Sequence, residues 1–311
     1  MSQEEPRKAL IVIAGPTAVG KTALAISLAQ KLSTEIVSAD SRQFFREMTI
    51  GTAKPSAAEL GLVPHHFIDT MSIDQEYDAA QFGEDATKVI QEILSRRKYA
   101  IMCGGSGLYI QAVTTGFDEI PEVDPQIRVD LIKNFEQFGI EWLQQKMEEN
   151  DPELLQELDR MNPHRLIRAL EIRIGTGASI KSFRNQKKNV HDFDVIMIGL
   201  NIARDELYAR IDRRMDDMIR QGLFDEAAQL YPFREHQALQ TVGYQEIFGF
   251  MDGLYDRDEA IRLLKRNSRR YAKRQLTWFK RDPNMKWFHP SEIDNIVEWV
   301  ESFGQSNSSD S

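Results

Sequence analysis

The apolar run ALIVIAG (residues 9–15) leads without a break into GPTAVGKT (residues 15–22). This junction constrains the fold more than any other stretch. A buried strand must end in a glycine turn, and a helix must start inside it. Gly15 and Gly20 let the backbone turn tightly, so that the N–H groups of Thr17, Ala18 and Val19 and of the next turn converge on an anion. Lys21 adds a charge, and the Thr22 hydroxyl suits a Mg²⁺ ion. The helix predicted over 21–32, with Leu24, Leu28 and Leu32 four residues apart, brings its positive N-terminal end to the same place. An ordinary strand-to-helix turn would explain the glycines but not the Lys-Thr pair behind them. The stretch reads as a phosphate cradle.

Further strands are predicted at EIVSAD (35–40), YAIMCGG (99–105) and FDVIMIGL (193–200), with a helix over about 79–97. Strands alternating with helices imply an α/β fold, a P-loop core with a parallel sheet flanked by helices. Nearly ninety residues separate the third and fourth strands, far more than one crossover helix needs. They are amphipathic, and Asp-Pro pairs at 124–125 and 151–152 place an N-cap before a first-turn proline. Residues 118–192 are therefore expected to form a helical insertion domain, with 1–117 and 193–311 forming the core. The tail GQSNSSDS reads as a flexible terminus.

In open parallel sheets, ligands sit beyond the carboxyl ends of the strands. The cradle, the stretch Asp40–Ser41–Arg42–Gln43 and the loop GGSG (104–107) should converge there. Asp40 suits three roles equally: a Mg²⁺ ligand, a general base or a helix N-cap. Ser106 suits an anion contact or a glycine turn. In the helix expected over 202–222, Arg210, Arg213 and Arg214 recur at helical spacing and could clamp a phosphate. Asp212, Asp216 and Asp217 interleave with them, and on spacing alone a solvated, salt-bridged face is favoured. Residues 262–281 carry nine Lys or Arg and no acid, with Tyr271, Trp278 and Phe279 among them. In a chain of net charge −9 this asymmetry favours polyanion binding over a cationic helix paired with acidic neighbours.

Other classes are excluded or demoted. One cysteine, Cys103, rules out an internal disulfide, and six scattered histidines show no zinc spacing. No run approaches a membrane span and no apolar leader is seen, so no membrane is involved and a cytoplasmic location is expected. Two enzyme classes remain: a transferase acting on RNA with a phosphorylated donor, and a P-loop small-molecule kinase using ATP. A nucleotide-dependent RNA-binding switch ranks last, because no Walker-B-like strand is evident.

GPTAVGKT, SADSRQFFREMTIGTAKP (38–55), PHHFID (64–69), GGSGLY (104–109), LYARIDRRMDDMIRQGL (207–223), TVGYQE (241–246) and KRQLTWFKRD (273–282) together resemble the tRNA dimethylallyltransferase family, the bacterial tRNA isopentenyltransferases. The motifs run in family order over nearly the whole chain. The resemblance implies that the cradle holds dimethylallyl diphosphate rather than ATP. Gly15, Pro16, Thr17, Ala18, Val19, Gly20, Lys21 and Thr22 would bind it, with Arg210 and Arg214 as a clamp and Mg²⁺ near Thr22. It implies catalysis by Asp40, as general base on N6 of adenosine 37, with Lys21, Thr22 and Arg214. By family position, tRNA contacts fall on Asp40, Ser41, Arg42, Gln43, Ser106 and Arg128, and on His164, Arg165, Leu166, Ile167 and Arg168. They fall also on Gln240, Thr241, Val242, Gly243, Tyr244 and Gln245, and on Lys273, Arg274, Gln275, Leu276, Thr277, Trp278, Phe279 and Lys280. The insertion would grip the anticodon stem-loop, and the enzyme would be a monomer. Three departures from the family pattern stand out: Ser106 for Thr, Glu47 and Thr49 for Gly and Asp, and His164 in the HRLIR stretch.

Overall fold

The computed structural model describes residues 7–183 and 190–306; the last residues of the serine-rich tail lie outside them. The chain divides into two compact units, Met1–Thr115 with Val190–Ser311, and Gly116–Asn189.

The larger unit is built on β1 (Ala9–Ala14), whose six residues are all buried. Its side chains alternate between two cores, as the two-residue period of a strand requires. Leu10, Val12 and Ala14 enter one core, and Ala9, Ile11 and Ile13 the other. A strand buried on both faces reads as a continuous apolar run, which is why ALIVIA was legible. Helix α1 (Lys21–Lys31) follows, then β2 (Ile36–Ser38), the single turn α2 (Ala57–Leu60), β3 (His65–His66), α3 (Ala79–Arg96), β4 (Tyr99–Gly104) and α4 (Gly107–Thr114). Asp78 caps α3 by accepting from Ala80 and Gln81 N–H, and Gln81 returns the bond in a capping box.

Helices α5 (Pro125–Asn150), α6 (Pro152–Leu155) and α7 (Pro163–Thr176) belong to the smaller unit. Asp124 and Asp151 cap α5 and α6 ahead of their first-turn prolines. Gly139, at φ 79°, kinks α5. Leu131, Leu143, Met147, Leu154, Leu166 and Leu170 form this unit's own core.

The chain then returns through β5 (Asp194–Leu200), α8 (Arg204–Arg220), α9 (Leu223–Leu230), α10 (Tyr244–Met251), α11 (Arg257–Phe279), β6 (Lys286–Phe288) and α12 (Ile293–Ser306). The six strands are all parallel, in the order β3-β2-β4-β1-β5-β6. β3 and β6 extend the sheet at its two edges. They are only two and three residues long; PHHFID reads as a turn into a strand, which fits β3, and nothing in the sequence announces β6. Helices α3 and α4 cover one face through Phe82, Ile90, Ile110 and Val113. Helices α1 and α12 cover the other through Leu24, Leu28, Ile296 and Val300. Burying each such aliphatic side chain contributes about 1.5–3 kcal/mol. α8 and α11 contribute to both cores, Ile211 and Ala272 to one, Met215 and Leu264 to the other. The sheet order sets β2, β4 and β1 side by side, so the loops leaving their carboxyl ends are neighbours.

Candidate active site

The cradle leaves β1 in a contour that its residue types permit. Gly15 has φ 152°, and a Cβ there would lie 2.8 Å from the Leu200 carbonyl. Gly20 takes φ 108° and Ala18 φ 63°. Lys21 Nζ donates to the Pro16 carbonyl at 2.8 Å, folding the side chain back over its own loop. Arg210 lies alongside, with a long bond to the Val19 carbonyl at 3.4 Å and an ion pair with Glu206 at 2.7 Å.

The second loop leaves β2. Asp40 Oδ1 accepts from Arg42 N–H at 3.0 Å. Residues 41–44 form turns, so the helix N-cap reading is corrected: the carboxylate caps a turn and lines the cavity. Gln43 Nε2 donates to the Thr52 and Ala53 carbonyls at 3.2 and 3.3 Å, and its Oε1 accepts from Ser38 Oγ at 3.1 Å. The third loop leaves β4 and closes against the second. A Cβ on Gly104 would lie 2.0 Å from the Ala39 carbonyl, so only glycine allows that approach. Ser106 Oγ accepts from Ser41 N–H at 3.0 Å. The Ser106 hydroxyl ties one loop to the other, and Ser106 caps α4 without a side-chain bond.

These loops wall a cavity of about 510 Å³, into which Thr17, Lys21, Thr22, Asp40, Gln43, Arg214 and Tyr271 all face. Its charge is unbalanced. Burial holds the Lys21 ammonium down at about 8, with Arg214 lowering it further and Asp40 and Cys103 opposing. Burial also lowers Arg214, and Asp40 is the counter-charge that opposes it. The Tyr271 hydroxyl is pushed up to about 12 by burial and by the Asp40 charge, so it stays a neutral donor. Two desolvated cations facing one carboxylate suit an anion of more than one charge. Arg42 Nε is buried with no hydrogen-bond partner among the described residues.

The aspartates of α8 are engaged elsewhere. Asp212 pairs with Arg269, Asp216 with Lys265 at 2.6 Å, and Asp217 with Arg220. The solvated-face reading is thus corrected: Asp212 and Asp216 tie α8 to α11 and Asp217 pairs with Arg220, so none of the three pairs with Arg210, Arg213 or Arg214. Arg214 is left facing the cavity, and no ion pair is formed by it among the described residues.

No group of three or more His, Cys, Asp or Glu side chains among the described residues could hold a metal by itself. The oxygen donors present, Thr22 and Asp40, fit a Mg²⁺ ion bound mainly through phosphate oxygens and water, the usual arrangement for this ion.

The family described as IPP transferase matches residues 43–282. The chain belongs to the IPP transferase family. A tRNA dimethylallyltransferase of Cytophaga hutchinsonii is 50% identical over 295 residues, covering 95% of this chain and 97% of that protein. One of Christiangramia forsetii is 53% identical over 294 residues, with 94% and 97% covered. Among solved structures, the full-length tRNA isopentenylpyrophosphate transferase of Bacillus halodurans superposes with a TM-score of 0.72 at 39% identity, over 97% of this chain and 98% of that one. A eukaryotic dimethylallyltransferase acting on tRNA superposes with a TM-score of 0.76 at 26% identity, over 92% and 75%. The P-loop core, the parallel sheet and the enzyme class expected from the sequence are those of IPP transferases.

Several residues that family position assigned to tRNA have side chains committed to the interior of this IPP transferase. Tyr244 is fully buried, and its hydroxyl donates to Glu226 at 2.6 Å. Phe279 lies in the core, and Leu166 and Ile167 fill the core of the smaller unit. Gln275 is buried: its Oε1 accepts from Thr17 N–H at 2.8 Å and its Nε2 donates to the Gly105 carbonyl at 2.9 Å. Trp278 packs over Gly107, where a Cβ would come within 2.3 Å of the indole nitrogen. For the five that are buried, a side-chain contact with RNA is replaced by a packing or bracing role, while Trp278 is half-buried.

The others sit differently. Lys273, Arg274 and Thr277 are exposed on α11 and Lys280 just beyond it, and Gln240 and Gln245 are exposed nearby in sequence to α10. Thr241, Val242 and Gly243 line the cavity. Leu276 packs at the edge of the core that holds α1. In the smaller unit Arg128 and Arg168 are exposed and share the buried Glu171 at 3.1 and 2.9 Å, with His164 and Arg165 exposed on the same helix as Arg168. Glu47 accepts from Ser72 Oγ at 2.7 Å and from Ile73 N–H at 3.1 Å, so this departure from the family pattern braces a neighbouring loop. Glu226 was not legible: one acid in a helical stretch of acids carries no signal for the bonds it makes.

Proposed function

We propose that this enzyme transfers a dimethylallyl group from dimethylallyl diphosphate to N6 of adenosine 37 in the anticodon loop of tRNA, releasing diphosphate. The observation that carries the proposal is that Asp40 shares one cavity with the cradle, and its charge acts on both Lys21 and Arg214. Membership of the IPP transferase family gives the kinase alternative no support.

The diphosphate sits against the N–H groups at the start of α1, which have no intrahelical acceptors. Lys21 leaves the Pro16 carbonyl for the phosphate oxygens, and Arg214 meets them from α8. Both cations regain the partner that desolvation has denied them. The target base leaves its stack to reach the cavity, which is cheapest from a single-stranded loop. Its exocyclic amine is conjugated with the ring and weakly nucleophilic. As nitrogen bonds to C1 of the prenyl chain, the C1–O bond breaks and the electron pair leaves on the diphosphate. Asp40 takes the amine proton. Lys21, Arg214 and the loop amides stabilise the charge that grows on the leaving group. Mg²⁺, held by Thr22 and the phosphate oxygens, would supply further charge stabilisation. The exposed cations of α11, and Arg128 with Arg168 in the smaller unit, are suited to RNA phosphates, which fix position rather than sequence.

The test is direct. Purified protein, unmodified tRNA, Mg²⁺ and dimethylallyl diphosphate are incubated, and the nucleosides are analysed by mass spectrometry. Dimethylallyl-adenosine is expected, confined to the position 3′ of the anticodon. Uptake of label from ATP in place of the prenyl donor would overturn the proposal.

A further inference from the structure

Gly51, Thr52 and Ala53 line the cavity, yet the 49–53 segment that carries them forms no part of the sheet or of any helix. Their position is set from α9. The Glu226 carboxylate accepts from three consecutive backbone N–H groups: Thr49 at 3.0 Å, Ile50 at 2.7 Å and Gly51 at 2.8 Å. It takes a fourth bond from the Tyr244 hydroxyl at 2.6 Å. Gly51 has no room for a side chain, since a Cβ would lie 2.4 Å from the Tyr244 ring. Acid, turn and ring therefore fit together in one arrangement.

The far side of the same turn holds Gln43. The Thr52 and Ala53 carbonyls take both protons of its amide, and Ser38 donates to its Oε1. Gln43 lies three residues after Asp40 and faces the cavity with it. Glu226 thus holds the turn by its 49–51 N–H groups and Gln43 is held by its 52 and 53 carbonyls, with the backbone of the turn joining the two.

We propose that Glu226 is a positioning residue for Gln43: it fixes the 49–53 turn and thereby the face that the cavity presents to the acceptor base. The inference rests on the prenyl-transfer reading and adds a residue to it. Glu226 touches no substrate. Its removal leaves the cradle, Lys21 and Arg214 as they are and loosens only the acceptor side.

The test is a double-mutant cycle on the full chain with an anticodon stem-loop RNA. Glu226→Gln sets an amide N–H₂ against backbone N–H donors. It is expected to lower single-turnover transfer between about tenfold and a hundredfold, the range for slight misplacement of a reacting partner. KM for the prenyl donor should stay within about twofold. In a Gln43→Ala background, Glu226→Gln should cost little more, because its effect passes through Gln43. Effects that multiply in the double variant, or a loss seen equally in the donor KM, would overturn the proposal. Amide hydrogen exchange at residues 49–51 gives an arm that needs no turnover. Slow exchange in the parent and fast exchange in Glu226→Gln is expected; fast exchange in the parent would refute the bracing. If Glu226→Gln does not fold, Tyr244→Phe removes one of the four bonds and runs the same cycle with a smaller effect. A parent enzyme that shows slow exchange but transfers no prenyl group would count against the function and not against the brace.

Discussion

Gln275 joins Thr17 to Gly105: one buried amide on the basic helix holds the cradle with its oxygen and the third loop with its nitrogen. The two loops come from neighbouring strands, β1 and β4, and the glutamine spans them from 258 and 170 residues away in sequence. A Cβ on Gly105 would fall 2.3 Å from the Gln275 nitrogen, so the small residue and the long one are matched. Gln275→Ala leaves the Thr17 donor and the Gly105 acceptor without a partner. A fall in kcat/KM of about tenfold to a hundredfold is expected with either substrate varied. tRNA affinity at fixed salt should be unchanged. A clear loss of tRNA affinity would show that Gln275 sits at the RNA surface instead.

The cations of α11 divide into two groups. Lys265 and Arg269 are paired with Asp216 and Asp212 of α8, whereas Lys273 and Arg274 are exposed and form no ion pair among the described residues. Lys273→Ala and Arg274→Ala should each weaken tRNA binding and make the log–log salt slope shallower by about 0.7–0.9. Lys265→Ala should leave the slope unchanged. Filter binding across a salt series reads both outcomes, and equal slopes for all three variants would remove the division.

How far the sequence was readable follows from where each signal resides. The cradle was legible because its chemistry is local: eight consecutive residues carry the glycines, the lysine and the hydroxyl. The long strands were legible because burial on both faces leaves nothing but apolar residues in ALIVIA and AIMC. Strand β6 was not, being too short to show a period, and β3 was legible only as a turn into a strand at PHHFID. The acid–base alternation in α8 was misleading on its own. Asp212 and Asp216 are bound to another helix, and no spacing within α8 reveals that. Family position assigned Gln275 and Tyr244 to tRNA, whereas both side chains are buried on partners within the chain. A motif marks which residues matter together, not whether a side chain turns outward to RNA or inward to a backbone amide.

Asp40 is the one carboxylate facing the two cavity cations that has a part in the proposed chemistry. Asp40→Asn keeps the turn, because the amide oxygen still accepts from Arg42 N–H, and removes the base. Single-turnover transfer should fall by at least about a hundredfold, the low end for loss of a positioned general base. tRNA affinity should stay within about tenfold, since one contact is worth about 1–3 kcal/mol. Transfer at the parent rate would take Asp40 out of the reaction.

Lys21 gives the enzyme a pH dependence whose direction can be derived. Without ligand its ammonium is held near 8 by burial, with Arg214 adding to the effect. Below that value Lys21 is charged and meets the diphosphate directly. Above it, binding must first return a proton, and affinity for the donor falls by up to about tenfold per pH unit until the bound-state pKa is reached. The donor does not confuse the reading, because a phosphate group loses its last proton near pH 6. Nor do the neighbours: Cys103 is pushed up to about 11 and Tyr271 to about 12, so both stay neutral across the range. Calorimetry of donor binding at pH 8.5, in buffers of different ionisation enthalpy, should register net proton uptake. Lys21→Arg should abolish that uptake, because a guanidinium does not titrate there. Donor binding that takes up no proton at pH 8.5 would show that the cradle already holds Lys21 charged before the diphosphate arrives.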